Sequence, residues 1–271
     1  FFPLKVLLRS RVNTHNIAKP MSMFMSHVLA SVPTQVASQQ SAIVSKEKPA
    51  ITFIAAKHGH NARRRIEAFI ASGFKARYNA RVTSFMPMLF ALDAKGVKAA
   101  AGARFAAYDG QYNSLFIEQY LNTSVETALT LQGITVNRAH IAEVGNLFSS
   151  ASRYTLPLLF ALFFVLKRCG SKYLVFSATS QLTSLLMGAG IQLLPLVKAD
   201  ASKLKGNSDD WGTYYDTAPQ VTALSLHHVT QHIIGCPELN AHYQRAIELI
   251  SANVDALTQN ICTKKETAYV A

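Results

Sequence analysis

Two carboxylates stand in apolar surroundings between residues 115 and 147. Glu118 lies within Leu115–Leu121 (LFIEQYL), and Glu143 lies within Ala142–Leu147 (AEVGNL). Burying an unpaired carboxylate is costly, so such a residue usually holds a network together or serves a site. Glu143 is a candidate general base or amine-positioning group, and pairing with an arginine such as Arg104 is an equally good interpretation. For Glu118 the pattern favours a hydrogen-bonded anchor for its loop.

The residues around Glu143 alternate as in a half-buried strand, which places Glu143 and Gly145 on the face opposite Val144. A glycine at this point leaves room for a ligand or another backbone to approach. A splayed or bulged end of this strand would open a cleft beside Glu143.

The segment from Ser149 to Thr155 (SSASRYT) joins this strand to a strongly apolar helix. Free backbone N–H groups at a helix start, with hydroxyls and Arg153 beside them, can form an anion site. Ser152 or Thr155 could instead cap the helix in the ordinary way. The spacing favours capping, and the two roles are compatible.

A metal site and the common nucleotide or hydrolase motifs are not indicated. His228, His232 and Cys236 are spaced by four, as ligands on one helix face can be. However, the residues before His228 are typical of a strand, and a proline at 237 ends any helix, so we expect no metal. The sequence contains no GxSxG, P-loop, GxGxxG or HExxH motif, which argues against the enzymes that use them.

A loop of three aromatic residues and one acid, Trp211–Asp216 (WGTYYD), either covers a pocket or packs into the core. We predict packing. Buried tyrosine and tryptophan need a polar partner, and Asp216 is the candidate.

The composition favours a large core and acidic partners. Of the 271 residues, 49% are apolar and 15% are charged, and the formal charge is +12. That charge favours phosphorylated cofactors, acidic carrier proteins or anionic lipid headgroups. The one dense basic run, Arg63–Arg65, is predicted to be a solvated helix start, and no nucleic-acid signature accompanies it. Three distant cysteines, Cys169, Cys236 and Cys262, indicate reduced thiols rather than a disulfide framework.

The order of patterns predicts three regions. Residues 1–49 are a basic arm, either leader-like or disordered, residues 50–235 are a mixed α/β domain, and residues 236–271 are an amphipathic helix and tail. The longest apolar run, Leu156–Leu166, has eleven residues, whereas a membrane span needs about 20, so we predict a buried core helix. A further helix starts near Ser124. We predict strands over 50–57, 85–92, 98–107, 139–147, 172–178, 191–198 and 220–227, and helices over 62–80, 155–169, 180–188 and 238–259.

Three of these motifs together resemble the thermostable hemolysin family. They are Leu115–Leu121, Glu143–Leu147 after a strand, and Trp211–Asp216, in this order, and the resemblance covers roughly Ile51 to Leu226. The family is named for haemolytic activity. Its fold is similar to that of GCN5-related N-acyltransferases, which implies an α/β (α+β) architecture with a mixed central sheet and helices on both faces.

The pattern is also distantly similar to acyl-homoserine lactone synthases, in which an arginine follows the glycine of a central strand and a glutamate ends the next. This resemblance implies that Glu143 orients or deprotonates an acceptor amine and that Arg104 holds an acidic group or pairs with Glu143. Glu118 completes the candidate catalytic set as a family marker. The implied contacts of a thioester donor are Val144, Asn146, Leu147 and Phe148 along its phosphopantetheine arm, and Ser149, Ser152, Arg153 and Thr155 at its phosphates.

The sequence departs from acetyl-CoA-using relatives at two places. Their (Arg/Gln)-x-x-Gly-x-(Gly/Ala) loop is replaced by Ser149–Thr155, which has no glycine, and their usual tyrosine acid is Leu186 here. A long acyl donor on CoA or on an acidic carrier protein therefore fits better than acetyl-CoA.

The resulting prediction is an acyltransferase that moves an acyl group from a CoA or carrier-protein thioester to an amine. The donor, acyl-CoA or acyl-phosphopantetheine, is a substrate, and no tightly bound cofactor is expected. The alternatives are a haemolysin acting directly on lipid bilayers and a catalytically silent acyl-binding module. The expected location is cytoplasmic, with secretion or contact with a membrane surface possible, and nucleic acid is an unlikely partner.

Overall fold

The computed structural model describes residues 50–108, 110–251 and 261. The predicted arm at 1–49 and the end of the predicted tail lie outside the described residues. The strands are β1 (Thr52–Ala56), β2 (Met88–Asp93), β3 (Val97–Phe105), β4 (Ala107–Tyr108), β5 (Gln111–Tyr112), β6 (Ile141–Ser149), β7 (Tyr173–Ala178), β8 (Leu194–Lys198) and β9 (Gln220–Ser225). The helices are α1 (Arg63–Tyr78), α2 (Glu118–Leu121), α3 (Val125–Leu131), α4 (Ser152–Arg168), α5 (Ser180–Gly188), α6 (Leu226–Gly235) and α7 (Pro237–Ser251).

Seven of these strands form one mixed sheet in the order β1-β2-β3-β6-β7-β9-β8. β6 and β7 pair in parallel, and their neighbours pair in antiparallel fashion. A parallel pair needs a crossover connection, and α4 supplies it. β4 and β5 form a small separate hairpin.

Helices cover both faces of the sheet, as predicted. On one face, α4, α6 and α7 pack over Phe90, Val144 and Leu174. α4 is apolar on nearly every side because it lies between the sheet and α7, where the rings of Phe160 and Tyr243 meet edge to face at 5.8 Å. On the other face, α1 packs on one half of the sheet, and α2 and α3 pack on the other half. The predicted α/β fold class is confirmed.

Most predicted elements are present within a few residues of their predicted ends, but α6 was missed. The predicted strand at 220–227 ends at Ser225, whose side chain accepts a hydrogen bond from the His228 N–H at 3.3 Å and so begins a helix. Val229 and Ile233 face the core from this helix. The exposed His232 bonds to the Ala189 carbonyl at 2.9 Å, and no group of three potential metal ligands occurs among the described residues.

Two smaller predictions were wrong. Arg63 is buried rather than solvated, because its guanidinium donates to the carbonyls of Ala56, Met86 and Pro87 and so fixes the chain that enters β2. Cys169 is disulfide-bonded rather than reduced, whereas Cys236 is free, as predicted. In the described part of the chain, no helix has both the length and the apolarity that crossing a membrane requires.

Candidate functional site

The two parallel strands at the centre of the sheet separate part-way along. β6 pairs with β7 from Ile141 to Glu143, opposite Tyr173 to Val175. β6 then continues to Ser149 and β7 to Ala178 without pairing with each other. We call this divergence the splay. It lies beside Glu143, where the sequence analysis considered a splayed or bulged strand end.

A β-bulge shapes the β6 side of the splay. Gly145 is opposite Gly102 and Phe148 is opposite Ala100, so Asn146 and Leu147 together face one residue of β3. Asn146 adopts a left-handed conformation with φ of 51°, which asparagine tolerates better than most residues. Its side-chain oxygen accepts a hydrogen bond from the backbone N–H of residue 86 at 2.8 Å.

The space beside Gly145 is filled by a methionine. A β-carbon at Gly145 would lie 2.6 Å from the Met86 side chain, and one at Gly102 would lie 2.4 Å from the same side chain. Two facing glycines therefore allow the Met86 side chain to lie against the bulge. The space that the sequence indicated beside Gly145 is therefore occupied by the Met86 side chain rather than left open for a ligand.

The carboxylate of Glu143 lies at the point where the strands part, and 1% of the residue is exposed. Its two oxygens accept hydrogen bonds from the N–H groups of Phe116 and Ile117, both at 2.9 Å. Burial raises the pKa of Glu143 to about 7, and the two N–H bonds and the charge of Arg104 oppose that rise.

Arg104 is opposite Glu143 in the β3–β6 ladder, as the sequence predicted. Its nearer guanidinium nitrogen lies 4.0 Å from the Glu143 carboxylate and donates to the Ser114 carbonyl at 2.9 Å. The Arg104 side chain is 28% exposed. Arg104 and Glu143 therefore hold adjacent parts of one backbone segment, and Arg104 also reaches solvent.

Glu118 anchors a loop, as its surroundings in the sequence favoured. Its carboxylate accepts from the N–H groups of Leu115 and Val125, both at 3.0 Å, and forms a two-point ion pair with Arg138 at 2.7 and 3.0 Å. Burial raises the pKa of Glu118, but the bonds from Arg138 and the backbone outweigh that effect and leave the pKa below its ordinary value. Glu126 also bonds to Arg138, at 2.6 Å.

Arg138 is the important residue that sequence reasoning missed. Its side chain is 7% exposed, and it also donates to the carbonyls of Ala106 and Asn113. The available signal was the pair Glu118 and Glu126, two acids on successive short helices that need a counter-charge. Nothing in the spacing identified which arginine would supply it.

Residues 113–118, which we call the strap, are thus held by charged side chains. The strap's backbone bonds to Arg138 at Asn113, to Arg104 at Ser114 and to Glu118 at Leu115. Glu143 then holds the N–H groups of residues 116 and 117. The strap crosses the closed end of the splay on the α1 face of the sheet.

Aromatic side chains continue from the strap toward the open part of the splay. Phe116 lies 5.8 Å from Trp211, which lies 5.5 Å from Tyr214. The hydroxyl of Tyr214 donates to Ser177, on the part of β7 that does not pair with β6, and the hydroxyls of Tyr120 and Tyr215 bond to each other at 2.6 Å. The loop packs, as predicted. Its tyrosines find polar partners in these groups rather than in an acid at 216.

The turn before α4 differs from its prediction. α4 begins at Ser152 without a side-chain cap, so the expected capping by Ser152 or Thr155 is wrong. The Ser149 hydroxyl donates to the Ala151 carbonyl at 2.7 Å instead. Arg153 is exposed and lies over the ring of Tyr154, 4.8 Å from its centroid. The helix start is therefore uncapped by side chains and carries one solvent-facing arginine.

The remaining predicted donor contacts lie along β6. Val144 and Leu147 pack toward α4, whereas Phe148 packs toward α1, where its ring meets Phe69 edge to face at 5.3 Å. Asn146 lies at the bulge between them. The structure thus brings Glu143, Arg104 and the β6 residues to the splay, whereas Glu118, the last residue of the strap, bonds to Arg138.

The fold is similar to several solved structures of synthases. The acyl-homoserine lactone synthase LasI aligns with a TM-score of 0.45 and 13% identity, over 66% of this chain and 91% of LasI. FeeM, an N-acyl amino acid synthase from uncultured soil microbes, aligns with a TM-score of 0.45 and 13% identity, over 67% and 93%. BjaI, a CoA-dependent acyl-homoserine lactone synthase solved with SAM and isopentyl-CoA, aligns with a TM-score of 0.44 and 12% identity, over 73% and 89%.

Comparison by sequence gives the family. Curated proteins provide no significant match. The family model described as "Thermostable hemolysin" matches residues 56–230, which is well over half of the chain and close to the range that the three motifs covered. The chain therefore belongs to the thermostable hemolysin family.

Proposed function

We propose that this protein is an N-acyltransferase that moves an acyl group from a thioester of CoA or of a carrier protein to an amine. The splay between β6 and β7 is the observation that carries the proposal. Diverging strands leave backbone N–H and C=O groups on their inner edges without strand partners. A thioester arm with amide groups of its own can pair with such an edge, as an added strand does.

The bulge supplies the electrostatic part of the reaction. In acyl transfer the amine nitrogen attacks the thioester carbonyl and an oxyanion forms. The carbon–sulfur bond then breaks, and the proton lost by the amine ends on the released thiol. Backbone N–H groups near Asn146–Phe148, displaced from regular pairing by the bulge, are the proposed donors to that oxyanion. Val144 and Leu147 then border the arm on the α4 side.

The phosphates of the donor are assigned to the start of α4. That helix is 17 residues long and begins without a side-chain cap, and its positive dipole end favours anions. Ser149, Ser152, Arg153 and Thr155 are the proposed contacts, as the sequence indicated. Arg104, which is partly exposed beside the strap, is the proposed contact for an acidic group of the acceptor.

A thiol-release assay tests this proposal. Purified protein is mixed with acetyl-CoA or palmitoyl-CoA and with a panel of amines, including amino acids, and free thiol and amide product are measured. We expect thiol release that requires an amine and is faster with the long acyl donor. If no amine stimulates release from either donor, while the protein makes protein-free liposomes leak dye, direct membrane action is the better account.

A further inference from the structure

We propose that Glu143 serves the reaction by fixing the strap, and that it is a positioning residue rather than the base that takes the acceptor's proton. This inference rests on the proposed function. The carboxylate bonds to the backbone N–H groups of residues 116 and 117. Through that segment it positions the aromatic side chains of Phe116, Trp211 and Tyr214, which we call the aromatic wall of the splay.

The Glu143 carboxylate is not accessible to an acceptor amine. A general base must come within hydrogen-bond distance of the proton it removes, about 2.6–3.2 Å between heavy atoms. Glu143 is 1% exposed, and each of its oxygens already accepts a backbone N–H at 2.9 Å. An acceptor amine could reach the carboxylate only after the strap had moved away.

The strap carries an aromatic side chain that connects it to the far side of the splay. The ring of Phe116 lies 5.8 Å from both Trp211 and Tyr120. Trp211 packs against Tyr214, whose hydroxyl reaches Ser177, beyond the last β7 residue that pairs with β6. A continuous series of contacts therefore joins the Glu143 carboxylate to the opposite wall of the splay. If the strap shifts, the wall that faces the donor shifts with it.

The contact between Glu143 and the strap should depend on pH. The groups that face Glu143 are Arg104 from β3, Glu118 and Tyr120 from α2, and Tyr215 behind Tyr120. The pKa of Glu118 is lowered, and the pKa values of both tyrosines are raised by burial. Burial raises the pKa of Glu143 itself to about 7. A protonated carboxyl carries an O–H on one oxygen and is then a weaker acceptor for one of the two strap N–H groups, so the contacts of the strap should change as Glu143 titrates.

The experiment uses two readouts of the strap that do not depend on activity. The first is hydrogen exchange of the Phe116 and Ile117 amides. The second is the emission of Trp211, the single tryptophan of the chain, which lies against Phe116. Both are followed as a function of pH in the wild type, in E143Q and in E126Q. Glu126 belongs to the same charged cluster but bonds to Arg138 rather than to the strap, so E126Q is the matched control.

In the wild type we expect both readouts to change with a midpoint near pH 7, because one oxygen of Glu143 becomes a weaker acceptor on protonation. In E143Q the two amides should lose about tenfold or more of their protection at high pH, since glutamine offers one acceptor for two donors, and the midpoint should vanish. E126Q should behave as the wild type does. Amine acylation in E143Q should show a raised KM for the donor and no dependence on the lost midpoint.

Two results would overturn the inference. One is an E143Q protein whose Phe116 and Ile117 amides stay protected while kcat collapses, which is the behaviour of a lost base. The other is a wild-type protein whose strap readouts do not change between about pH 5 and 9. If the strap loosens in E143Q as expected but no amine is ever acylated, the positioning contact is supported and the proposed function fails.

Discussion

Replacing Arg138 by methionine should be the most damaging change among the charged residues around the strap. The side chain is 7% exposed. Its guanidinium donates twice to Glu118, at 2.7 and 3.0 Å, and once to Glu126, at 2.6 Å. It also donates to the carbonyls of Ala106 and Asn113. Methionine fills a similar volume but makes none of these bonds.

The size of the effect follows from the carboxylates left behind. Removing one partner of a buried ion pair costs about 3–5 kcal/mol. Glu118 is 17% exposed and keeps two backbone N–H bonds, and Glu126, at 31%, can turn toward water. We therefore expect the lower end, about 3 kcal/mol in the free energy of unfolding. For a domain of about 200 residues this lowers Tm by about 6–12 °C.

The loss of stability should also depend on pH. The pKa of Glu118 is lowered in the folded protein, and Arg138 is a main cause. A carboxyl with a lowered pKa stabilises the fold above its unfolded pKa, and that contribution is lost as the pH falls through the folded pKa. R138M lacks this contribution. The difference in free energy of unfolding between the wild type and R138M should therefore be largest near neutral pH and should shrink below about pH 4.

Urea unfolding followed by circular dichroism, near neutral pH and again below about pH 4, measures the loss of stability in R138M. Arg81→Met is the matched control, since Arg81 is 76% exposed and pairs with Asp210 at 3.3 Å. Exposed pairs are worth about 1 kcal/mol or less. The reasoning is refuted if R138M loses no more stability than R81M, or if its deficit grows as the pH falls.

Two further predictions concern the splay. N146A and N146G should both be less stable than the wild type because both lose the acceptor for a backbone N–H, and N146A should be the worse by about 1 kcal/mol because residue 146 has a φ of 51°. Equal urea midpoints for the two variants would contradict a left-handed residue at the bulge. R153A should raise KM about fivefold for acyl-CoA, the equivalent of about 1 kcal/mol, but should leave KM for acyl-pantetheine, which lacks the phosphates, unchanged. K167A, at the exposed far end of α4, should change neither constant, and an equal effect of both variants would point to net charge rather than to a phosphate contact.

The strand that carries Glu143 could be predicted because its information is local. The alternation of Ile141–Gly145 placed Glu143 opposite Val144, and the strand pairing then brought Arg104 beside it. Gly145 indicated room for a close approach, and the Met86 side chain lies there. The eleven apolar residues of α4 likewise predicted a helix buried on nearly every side, because the length excluded a membrane span.

The sequence-based predictions failed where contacts with other parts of the chain determine the local structure. α6 was missed because Leu226 and Val229 fit a strand as well as a helix, and the hydrogen bond from the His228 N–H to the Ser225 side chain that caps the helix was not recognised in the sequence. The role of Arg138 was not visible because its partners lie 12 to 32 positions away in the sequence. The bonds from the strap to Glu143 likewise span 26 and 27 positions. The cap predicted at Ser152 was wrong because the helix already begins there, so the N-cap position falls on Ala151, which has no side-chain acceptor.

Hydrogen exchange with a non-transferable donor tests the central claim most directly. A palmitoyl-CoA analogue with a thioether in place of the thioester can occupy the donor site without reacting. The account predicts that this analogue protects the amides of β6 beyond Glu143 and the start of α4, and that it leaves α6 unchanged. Protection that is absent from β6, or that appears on α6 instead, would contradict the assignment of the splay as the donor site.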